Sequence, residues 1–458
     1  MNIFMDNMQK QKLKDERLGG GLGDTNGLSW TCNSCRIIGE RALTIEEADK
    51  KILRELARLV AEIAARPEQN KKRKLWEKHN DLLETPPLIF CDPEMAWYEI
   101  FPATVLQCHG NLARIWEFRL LKEIYWADTI KDDRVTTPEF TIQYIFSETS
   151  RGMETRIIGG TSDGAYRWDP PISDYNEVDK LQFKQVIINN EKTVRLFELA
   201  QDIFGNILEV RLEGSYWWSF GMTSDLIFLC GFEQVLMDMY DNPAGLHKLM
   251  AFLRDENMAK LDFLENNDLL SLNSLGDFVG TGGYGWTSEL PAPGCDGSHV
   301  RLMDMWGFSE SQETVNVSPE FFKEYIFPYQ DSILQRFGLN IYGCCEPLER
   351  RWEVISCLPR LRRVTVSPWS DPEYMAEIMG RNYVYCRKIN PAYMATPLMD
   401  EESARTELRN TFRATKKHCC PAEVMLRDVM TLSWNPENAI NWTRIARKEA
   451  ASIYGFTL

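Results

Sequence analysis

The sequence has few histidines, a shortage of basic residues and no long apolar segment. Only 5 of its 458 residues are histidine, and their scattered positions give neither an H-E-x-x-H metal motif nor the spacing of a Ser-His-Asp triad. The 52 Lys and Arg are outnumbered by 67 Asp and Glu, which gives a formal net charge of −15. These shortages argue against histidine-based hydrolysis and against a basic surface for nucleic acid.

The chain also lacks an apolar run of membrane-spanning length, and its first residues carry charges where a signal peptide needs an apolar core. We therefore expect a cytoplasmic protein with no membrane partner. Its 12 cysteines should then be thiols, most of them buried. A lone C-x-x-C, formed by Cys32 and Cys35, has no second pair nearby and is interpreted as structural rather than as a metal site.

What the sequence does contain is a globular composition, with 44% hydrophobic residues, and an alternation of strand-like and helical segments. Two helices are predicted first, one beginning near Thr44 and a charged one at 68–83. From Pro86 onward, buried-strand and helical patterns alternate, which predicts an α/β fold with a parallel sheet. We expect a helical extension, a candidate homodimerisation arm, at 1–85 and a (β/α)8 TIM barrel at 86–458.

The strand candidates are short apolar runs that precede polar residues. They are LIFC after Pro87, 140–146, the segment TRIIGG, 276–283, 339–347, 362–369, 382–391 and 423–430. Helices are predicted at 242–266, 318–337, 348–357, 372–380, 401–416 and 436–453. The last four strands are predicted to be adjacent and parallel because helices of about a dozen residues separate them.

Polar or thiol side chains follow each of these four strands, at the end where a barrel carries its active site. Cys345, Glu346 and Asp428 are the candidate metal ligands, because thiolates and carboxylates bind zinc. Glu346 and Asp428 are also the candidate catalytic groups. Cys344 and Cys345, as neighbours on a strand, should point to opposite faces, so that at most one of them reaches the site. The alternative is that both pack as small apolar residues.

Substrate contacts are predicted from aromatic and basic residues near the same strand ends. Trp286, Trp306 and Trp369 could line an apolar pocket, although core packing would explain the same residues. Arg387, Lys388 and Asn390 follow the residues YVYC within the strand candidate 382–391 and are candidate ligands for a substrate carboxylate or other polar group. The glycine-rich stretch GDFVGTGGYGW at 276–286 has no phosphate-loop lysine and is interpreted as a loop that lets a ligand approach the backbone.

Several phrases from about Pro87 to the C-terminus resemble the uroporphyrinogen decarboxylase superfamily, in the branch related to corrinoid-dependent methyltransferases. They are LIFCDPEMAWYE, GAYRWDPP, GDFVGTGGYGWTSELP, DMWGFSESQETVNVSPE, FGLNIYGCCEPLERRW, RRVTVSPWSD and DVMTLSWNPENAINWTRIARKEA. The resemblance implies a (β/α)8 barrel whose methyltransferase members hold zinc at the C-terminal mouth. Those members move a methyl group between a small substrate and the cobalt of a corrinoid carrier.

The chain departs from both branches of that family. Tyr342 stands where the thiol methyltransferases have a histidine ligand, and Asp428 stands where a cysteine is expected. After the first strand, Asp92 and Glu94 replace the arginine-rich motif of the true decarboxylases, which disfavours tetrapyrrole decarboxylation.

Three functions are compatible with these residues. The first is transfer of a methyl group from a small O- or N-methyl compound to a corrinoid protein, with zinc or Glu346 as the activating acid. The second is a metal-free decarboxylase or lyase of a small carboxylic acid, with Arg387 and Lys388 as carboxylate ligands. The third is a non-catalytic ligand-binding barrel.

Overall fold

The computed structural model describes residues 43–159 and 166–456, so Cys32 and Cys35 lie outside the described residues. The chain folds as two compact units. The first consists of the described residues 43–145 and 372–456 together with Asn189–Glu213. The second consists of 214–371 and the described part of Phe146–Ile188.

The described helices and strands are numbered in chain order. The helices are α1 Glu47–Ala64, α2 Pro67–Asn80, α3 Trp97–Ile100, α4 Asn111–Tyr125, α5 Asn190–Phe204, α6 Thr223–Cys230, α7 Phe232–Asp241, α8 Pro243–Asn266, α9 Pro319–Tyr325, α10 Phe327–Leu334, α11 Trp352–Ile355, α12 Pro372–Met379, α13 Glu401–Lys417 and α14 Glu437–Tyr454. The strands are β1 Leu88–Cys91, β2 Glu139–Gln143, β3 Phe146–Glu148, β4 Arg156–Gly159, β5 Tyr166–Asp169, β6 Val186–Ile188, β7 Glu209–Glu213, β8 Trp306–Ser309, β9 Leu339–Tyr342, β10 Leu361–Val366, β11 Val384–Lys388 and β12 Ala422–Leu426.

In the first unit, β12 lies between β1 and β11, and both pairings are parallel. Side chains alternate between the two faces of a strand. Val424 and Leu426 therefore share one face, where they belong to a buried apolar cluster with Phe412 of α13 and Trp442 of α14. Lys388 is the register partner of Met425, so it lies on the opposite face of these strands. The strands β2 and β7 form a separate two-stranded parallel sheet.

In the second unit, β9 lies between β8 and β10, again with parallel pairing. Trp306 and Phe308 of β8 and Ile341 of β9 share a buried apolar cluster with Val279, which comes from the glycine-rich stretch. Two antiparallel pairs, β3 with β6 and β4 with β5, complete the described strands of this unit.

The two predicted N-terminal helices are confirmed as α1 and α2. Helix α1 is amphipathic and buries Leu53, Ala57 and Val60 in an apolar cluster that also contains Trp116 of α4 and Phe204 of α5. Helix α2 is mostly polar and is held by specific contacts instead. Its Trp76 Nε1 donates to the Asp133 carbonyl over 2.8 Å. Whether residues 1–85 form a separate extension stays a prediction.

The predicted fold class is confirmed as α/β with parallel strands, which are β1, β12 and β11 in the first unit and β8, β9 and β10 in the second. All four of the last predicted strands, β9 to β12, are present. Closure into a barrel is not detected within the part of the chain that the structure describes. Among those residues, no helix is both long and apolar enough to cross a membrane.

One predicted strand is wrong, and the strands β5 to β8 were not predicted. Residues 276–283 form a loop rather than a strand, with a single bridge between Phe278 and Tyr284. Gly280 has φ 60°, and a Cβ there would lie 2.8 Å from the Phe308 ring, so the loop packs directly on β8. Of the strands that were not predicted, β8 matters most for the site, and its apolar run WGFS is interrupted by a glycine.

Candidate active site

The carboxyl ends of the parallel strands in the second unit carry two buried glutamates. Glu310 follows β8 directly, and Glu346 lies four residues after β9. Each is only 2% exposed. Ligands of parallel α/β sheets bind at this end of the strands, which makes the pair the strongest candidate for chemistry in this unit.

Glu310 is held by one backbone donor and one hydroxyl. Its Oε2 accepts a hydrogen bond from the Gln312 N–H over 2.9 Å, and its Oε1 accepts from Ser219 Oγ over 3.2 Å. Gly221 packs against the Glu310 carboxyl so closely that a Cβ at that position would lie 2.3 Å from Glu310 Oε1. The carboxyl is therefore fixed in position while one of its oxygens faces a group that can donate or accept.

Glu346 has a different environment, because both of its oxygens accept from the backbone. Oε1 accepts from the Ser311 N–H over 2.8 Å, and Oε2 accepts from the Cys344 N–H over 3.0 Å. The side chain therefore joins the loop after β8 to the loop after β9. Two backbone donors favour the charged form of a carboxyl.

Burial raises the pKa of both carboxyls, and it does so more strongly for Glu310. Burial is the largest cause at Glu310, and the neighbouring Glu313 and Glu346 raise its pKa further, to well above the ordinary value. At Glu346 the pKa is also raised by burial, but the backbone donors and the charge of Arg351 oppose the effect. Glu310 is therefore the carboxyl of the pair that holds its proton more strongly and is the better candidate for a proton donor.

Arg351 and Gln330 hold the loop that carries Glu310. The Arg351 guanidinium is buried and donates to Ser311 Oγ over 3.2 Å, to the Thr314 carbonyl and to the Val317 carbonyl. Gln330 Nε2 donates to the Glu310 carbonyl over 2.9 Å and to the Gly221 carbonyl over 2.8 Å. These contacts fix the backbone on both sides of the acid, as proton transfer at a defined position requires.

The sequence prediction placed Glu346 in the site but missed Glu310. A signal was present, because Glu310 and Glu313 follow the apolar run WGF in the same way that Glu346 follows LNIY. It was overlooked because the strand at 306–309 was not predicted, and a strand end cannot be recognised without its strand.

The first unit has its own set of charged groups at the carboxyl ends of β1, β11 and β12. Arg427 Nε donates to Glu94 Oε1 over 2.9 Å, and the Asp428 N–H donates to Glu94 Oε2 over 2.7 Å. Lys388, which is 3% exposed, forms an ion pair with Asp428, which is 46% exposed. The structure therefore brings together two residues that the sequence predicted separately.

Arg427 is the unexpected member of this set. Its Nη1 is buried and has no hydrogen-bond partner among the described residues. A buried donor without a partner loses about 1–3 kcal/mol relative to a satisfied one. Arginine forks bind carboxylates, so this nitrogen marks a position where a substrate oxygen would be stabilised.

The other predicted basic contacts lie elsewhere. Arg387 is the register partner of Val424, which places it on the face opposite Lys388, and its Nη2 pairs with Glu407 of α13 over 2.9 Å. Asn390 Oδ1 accepts from the Ala392 N–H and so caps a short turn. Arg387 differs from Lys388 because adjacent strand residues alternate in direction, and Asn390 lies beyond the end of β11.

The three predicted tryptophans differ in their surroundings. Trp306 is 2% exposed, donates from Nε1 to the Gly285 carbonyl and lies beneath the Arg363 guanidinium. Trp286 is buried against the Tyr284 ring, with 4.5 Å between centroids. Trp369 is 71% exposed. Trp306 begins β8, about 13 Å along the strand from Glu310 at the usual rise. A shared role in donor binding stays a prediction.

Two of the predicted zinc ligands already have other partners, and whether Cys345, Glu346 and Asp428 share a metal site stays a prediction. Both oxygens of Glu346 accept from backbone N–H groups, and Asp428 is paired with a lysine. Among the described residues, no group of three or more His, Cys, Asp or Glu side chains is placed to hold a metal. A zinc ligand needs a lone pair free of competing donors. We therefore derive no step from a metal.

The expectation that Cys344 and Cys345 point to opposite faces is wrong. Strand β9 ends at Tyr342, and the chain turns at Gly343, where φ is 98°. The two Sγ atoms lie 3.5 Å apart. Cys344 belongs to the apolar cluster of the second unit and Cys345 packs against it, as the apolar alternative predicted.

Comparison with known proteins identifies a distant structural similarity and no family. A solved structure described as a methyltransferase from Methanosarcina mazei is similar to this chain, with a TM-score of 0.44 and 8% identity over 82% of this chain and 97% of that chain. Similarity at that level supports no conclusion about activity. No protein-family model matches the sequence, and no curated protein matches it either.

Proposed function

We propose that the protein is a methyltransferase that moves a methyl group from a small O- or N-methyl compound to a corrinoid protein, with Glu310 as the general acid. The observation that carries the proposal is the buried Glu310 carboxyl, whose pKa is raised well above the ordinary range at the carboxyl end of β8. The corrinoid protein as methyl acceptor and the barrel fold are inferred from the resemblance to the uroporphyrinogen decarboxylase superfamily.

The acid is needed because an alkoxide or amide anion is a poor leaving group. The bond between the methyl carbon and the heteroatom breaks, and the heteroatom keeps the electron pair. It takes the proton that Glu310 holds, while the methyl group passes to the acceptor. The reduced corrinoid of the partner protein supplies the nucleophile. Protonation of the leaving group at a fixed position lowers the barrier of such a step by a factor of about 10²–10⁴.

The neighbouring residues keep Glu310 protonated and in place. Glu346 and Glu313 raise the pKa of Glu310 through their negative charge, and Ser219 orients its outer oxygen. Arg351 holds the loop through hydrogen bonds to Ser311, Thr314 and Val317. After turnover, the ionised Glu310 must recover a proton, which the same environment favours.

The test is Glu310→Gln, assayed with enzyme, a reduced corrinoid carrier and a panel of methoxylated and methylamine donors. Glutamine can accept from the Gln312 N–H with its oxygen and donate to Ser219 Oγ with its nitrogen, so every contact is kept while the acid is lost. Turnover should fall by about 10²-fold or more, and donor binding should change much less.

Glu373→Gln is the matched control, because Glu373 is a carboxyl of the first unit that pairs with Lys417 and His418. Its turnover should equal that of the unmodified protein. Methyl transfer by Glu310→Gln at the normal rate would remove Glu310 from the mechanism. The absence of methyl transfer from every donor would remove the reaction itself.

A second function is favoured by the unpartnered Arg427 Nη1 beside the Lys388–Asp428 pair, which suits a substrate carboxylate. On this proposal the protein is a lyase or decarboxylase of a small carboxylic acid. It would release CO₂ from that acid without any corrinoid. Arg427→Lys keeps the positive charge but loses the paired N–H groups of the guanidinium. The variant should bind the carboxylic acid more weakly, whereas its binding of an uncharged methyl donor should not change.

A further inference from the structure

The adjacent thiols Cys344 and Cys345 lie at the rim of the apolar cluster, and neither is used in the mechanism above. Their Sγ atoms are 3.5 Å apart. Cys344 is 4% exposed, whereas Cys345 is half-buried and can be reached by a small reagent. Two thiols at this separation act as one chelating group rather than as two independent cysteines.

The turn before the pair explains why both thiols lie on the same side. A Cβ at Gly343 would lie 2.8 Å from Leu348 Cδ1 and 3.1 Å from the Thr365 carbonyl, and the residue has φ 98°. Only glycine combines that space with that backbone angle. Because β9 ends before the turn, the alternation that separates neighbouring side chains in a strand does not apply to residues 344 and 345.

The pair is also connected to the buried carboxyls. The Cys344 N–H donates to Glu346 Oε2 over 3.0 Å, and Glu346 in turn raises the pKa of Glu310. A change in the backbone between residues 344 and 345 would therefore alter one of the two hydrogen bonds that position Glu346.

We propose that Cys344 and Cys345 form a vicinal dithiol that is reversibly oxidised to an intrachain disulfide by a low-molecular-weight disulfide. In the first step, one thiolate attacks the reagent and releases one equivalent of reduced thiol as a mixed disulfide forms. The second thiolate then attacks the mixed disulfide and releases the second equivalent. The protein loses two electrons and two protons, and the reagent gains them.

Closing the ring requires the two Sγ atoms to approach to the length of a disulfide bond, about 2 Å. The backbone at 344–345 must adjust, which draws the Cys344 N–H away from Glu346. Oxidation therefore affects Glu346, and through it Glu310, by way of the hydrogen bond from the Cys344 N–H. Reversible oxidation of this dithiol can thus lower activity reversibly.

The chain contains a natural control with the same two residues. Cys419 and Cys420 are also adjacent, but Cys419 is exposed while Cys420 is buried with its Sγ on the Ala376 carbonyl at 3.4 Å. If adjacency in the sequence were enough for chelation, a dithiol reagent should bind both pairs. If the short distance between the Sγ atoms is required, the reagent should bind Cys344 and Cys345 more tightly than Cys419 and Cys420.

The first measurement uses phenylarsine oxide, which binds two close thiols and releases water. The full chain should retain one arsenical at the 344–345 peptide in the presence of excess glutathione. Cys344→Ser and Cys345→Ser should each weaken retention about 100-fold, the usual gain from chelation. Cys419→Ser and Cys420→Ser should leave it unchanged.

The second measurement treats the protein with oxidised glutathione and maps disulfides by mass spectrometry. The expected product is a 344–345 peptide that has lost two hydrogen atoms and is restored by reduction. Stable glutathione adducts on Cys345 without ring closure would overturn the proposal, as would equal arsenical retention in Cys345→Ser. Half-buried Cys345 tolerates serine most easily, so this variant keeps the test valid if Cys344→Ser unfolds.

The effect on activity rests on the proposed function, but the chemical readouts do not. If oxidation closes the ring and methyl transfer is absent from reduced protein as well, the methyltransferase proposal fails and the dithiol stands. If methyl transfer occurs and the ring does not close, the opposite holds.

Discussion

Glu310 and Glu346 are the same residue type with the same exposure, yet their hydrogen bonds assign them different roles. Glu346 accepts from two backbone N–H groups, which can only donate. Glu310 accepts from one such group and from a hydroxyl that can reverse its direction. At the residue scale, the number of backbone N–H donors therefore separates the two carboxyls. Glu346, with two, joins two loops, and Glu310, with one, can hold a transferable proton.

This difference predicts that substitution by glutamine lowers the stability of the protein at Glu346 but not at Glu310. In Glu346→Gln, the amide nitrogen must face a backbone N–H, so the variant should lose about 1–3 kcal/mol of stability. In Glu310→Gln, all contacts are kept. Chemical denaturation of both variants at pH 5 measures the difference. Equal stability of the two variants would contradict the assignment of their hydrogen bonds.

The pH dependence at Glu310 has a definite sign. Its pKa is raised in the folded protein, so the folded state holds this proton over a range where the unfolded chain has lost it. The native protein therefore loses stability as pH rises from about 4.5 through the folded pKa. Glu310→Gln lacks this titration, so its stability relative to the native protein should increase between pH 5 and pH 8.

At the element scale, one side chain of α3 accepts three hydrogen bonds from the loop after β12. Glu99 Oε2 accepts from the Leu432 N–H over 2.9 Å and from the Trp434 N–H over 2.7 Å, and its Oε1 accepts from Thr431 Oγ1. Ser433 and Trp434 both have positive φ. A loop with two such residues keeps its conformation only when its surroundings determine it.

Glu99→Ala should release this loop. The amides of Leu432 and Trp434 would lose their acceptor, and their hydrogen exchange should become about 10–100-fold faster, as expected for a loss of about 1–3 kcal/mol. Glu99→Gln is the matched control, because its oxygen can accept both N–H groups while its nitrogen donates to Thr431. Unchanged exchange in Glu99→Ala would show that other contacts hold the loop.

At the scale of the whole molecule, the first unit is assembled from three separate parts of the chain. Strand β1 pairs with β12, which lies more than three hundred residues later in the sequence, as the partners Leu88 and Glu423 show. The same apolar cluster joins Trp97 and Trp126 to Trp442. The N-terminal and C-terminal parts of this unit therefore depend on each other for burial.

A chain that ends at Asp371 should leave the remainder of the first unit unfolded. Strand β1 would lose β12, and the cluster around Trp97 would lose Phe412, Trp442 and their neighbours. Amide exchange across 88–130 should then approach the rate of an unfolded chain, while the full-length protein protects these amides. Persistent protection in the truncated chain would show that residues 43–145 fold without the C-terminal part.

The sequence by itself determined the local elements that have long or repeated patterns. Helices at 242–266, 401–416 and 436–453 correspond to α8, α13 and α14 within one residue at each end. The four strands β9 to β12 follow from apolar runs bounded by polar residues. These features depend on near neighbours in the chain, which a single sequence contains in full. Strands such as β7 (EVRLE) and β8 (WGFS) were not predicted, because polar residues or glycine interrupt their apolar runs.

Only the tertiary structure decided which polar groups meet. Arg387 and Lys388 are adjacent in sequence but lie on opposite faces, whereas Lys388 and Asp428 are forty residues apart and form an ion pair. The raised pKa of Glu310 likewise comes mainly from burial, then from the nearby Glu313, and then from Glu346, which is distant in the chain. Side-chain direction, burial and charge proximity arise when separate segments pack together, and the order of residues does not record them.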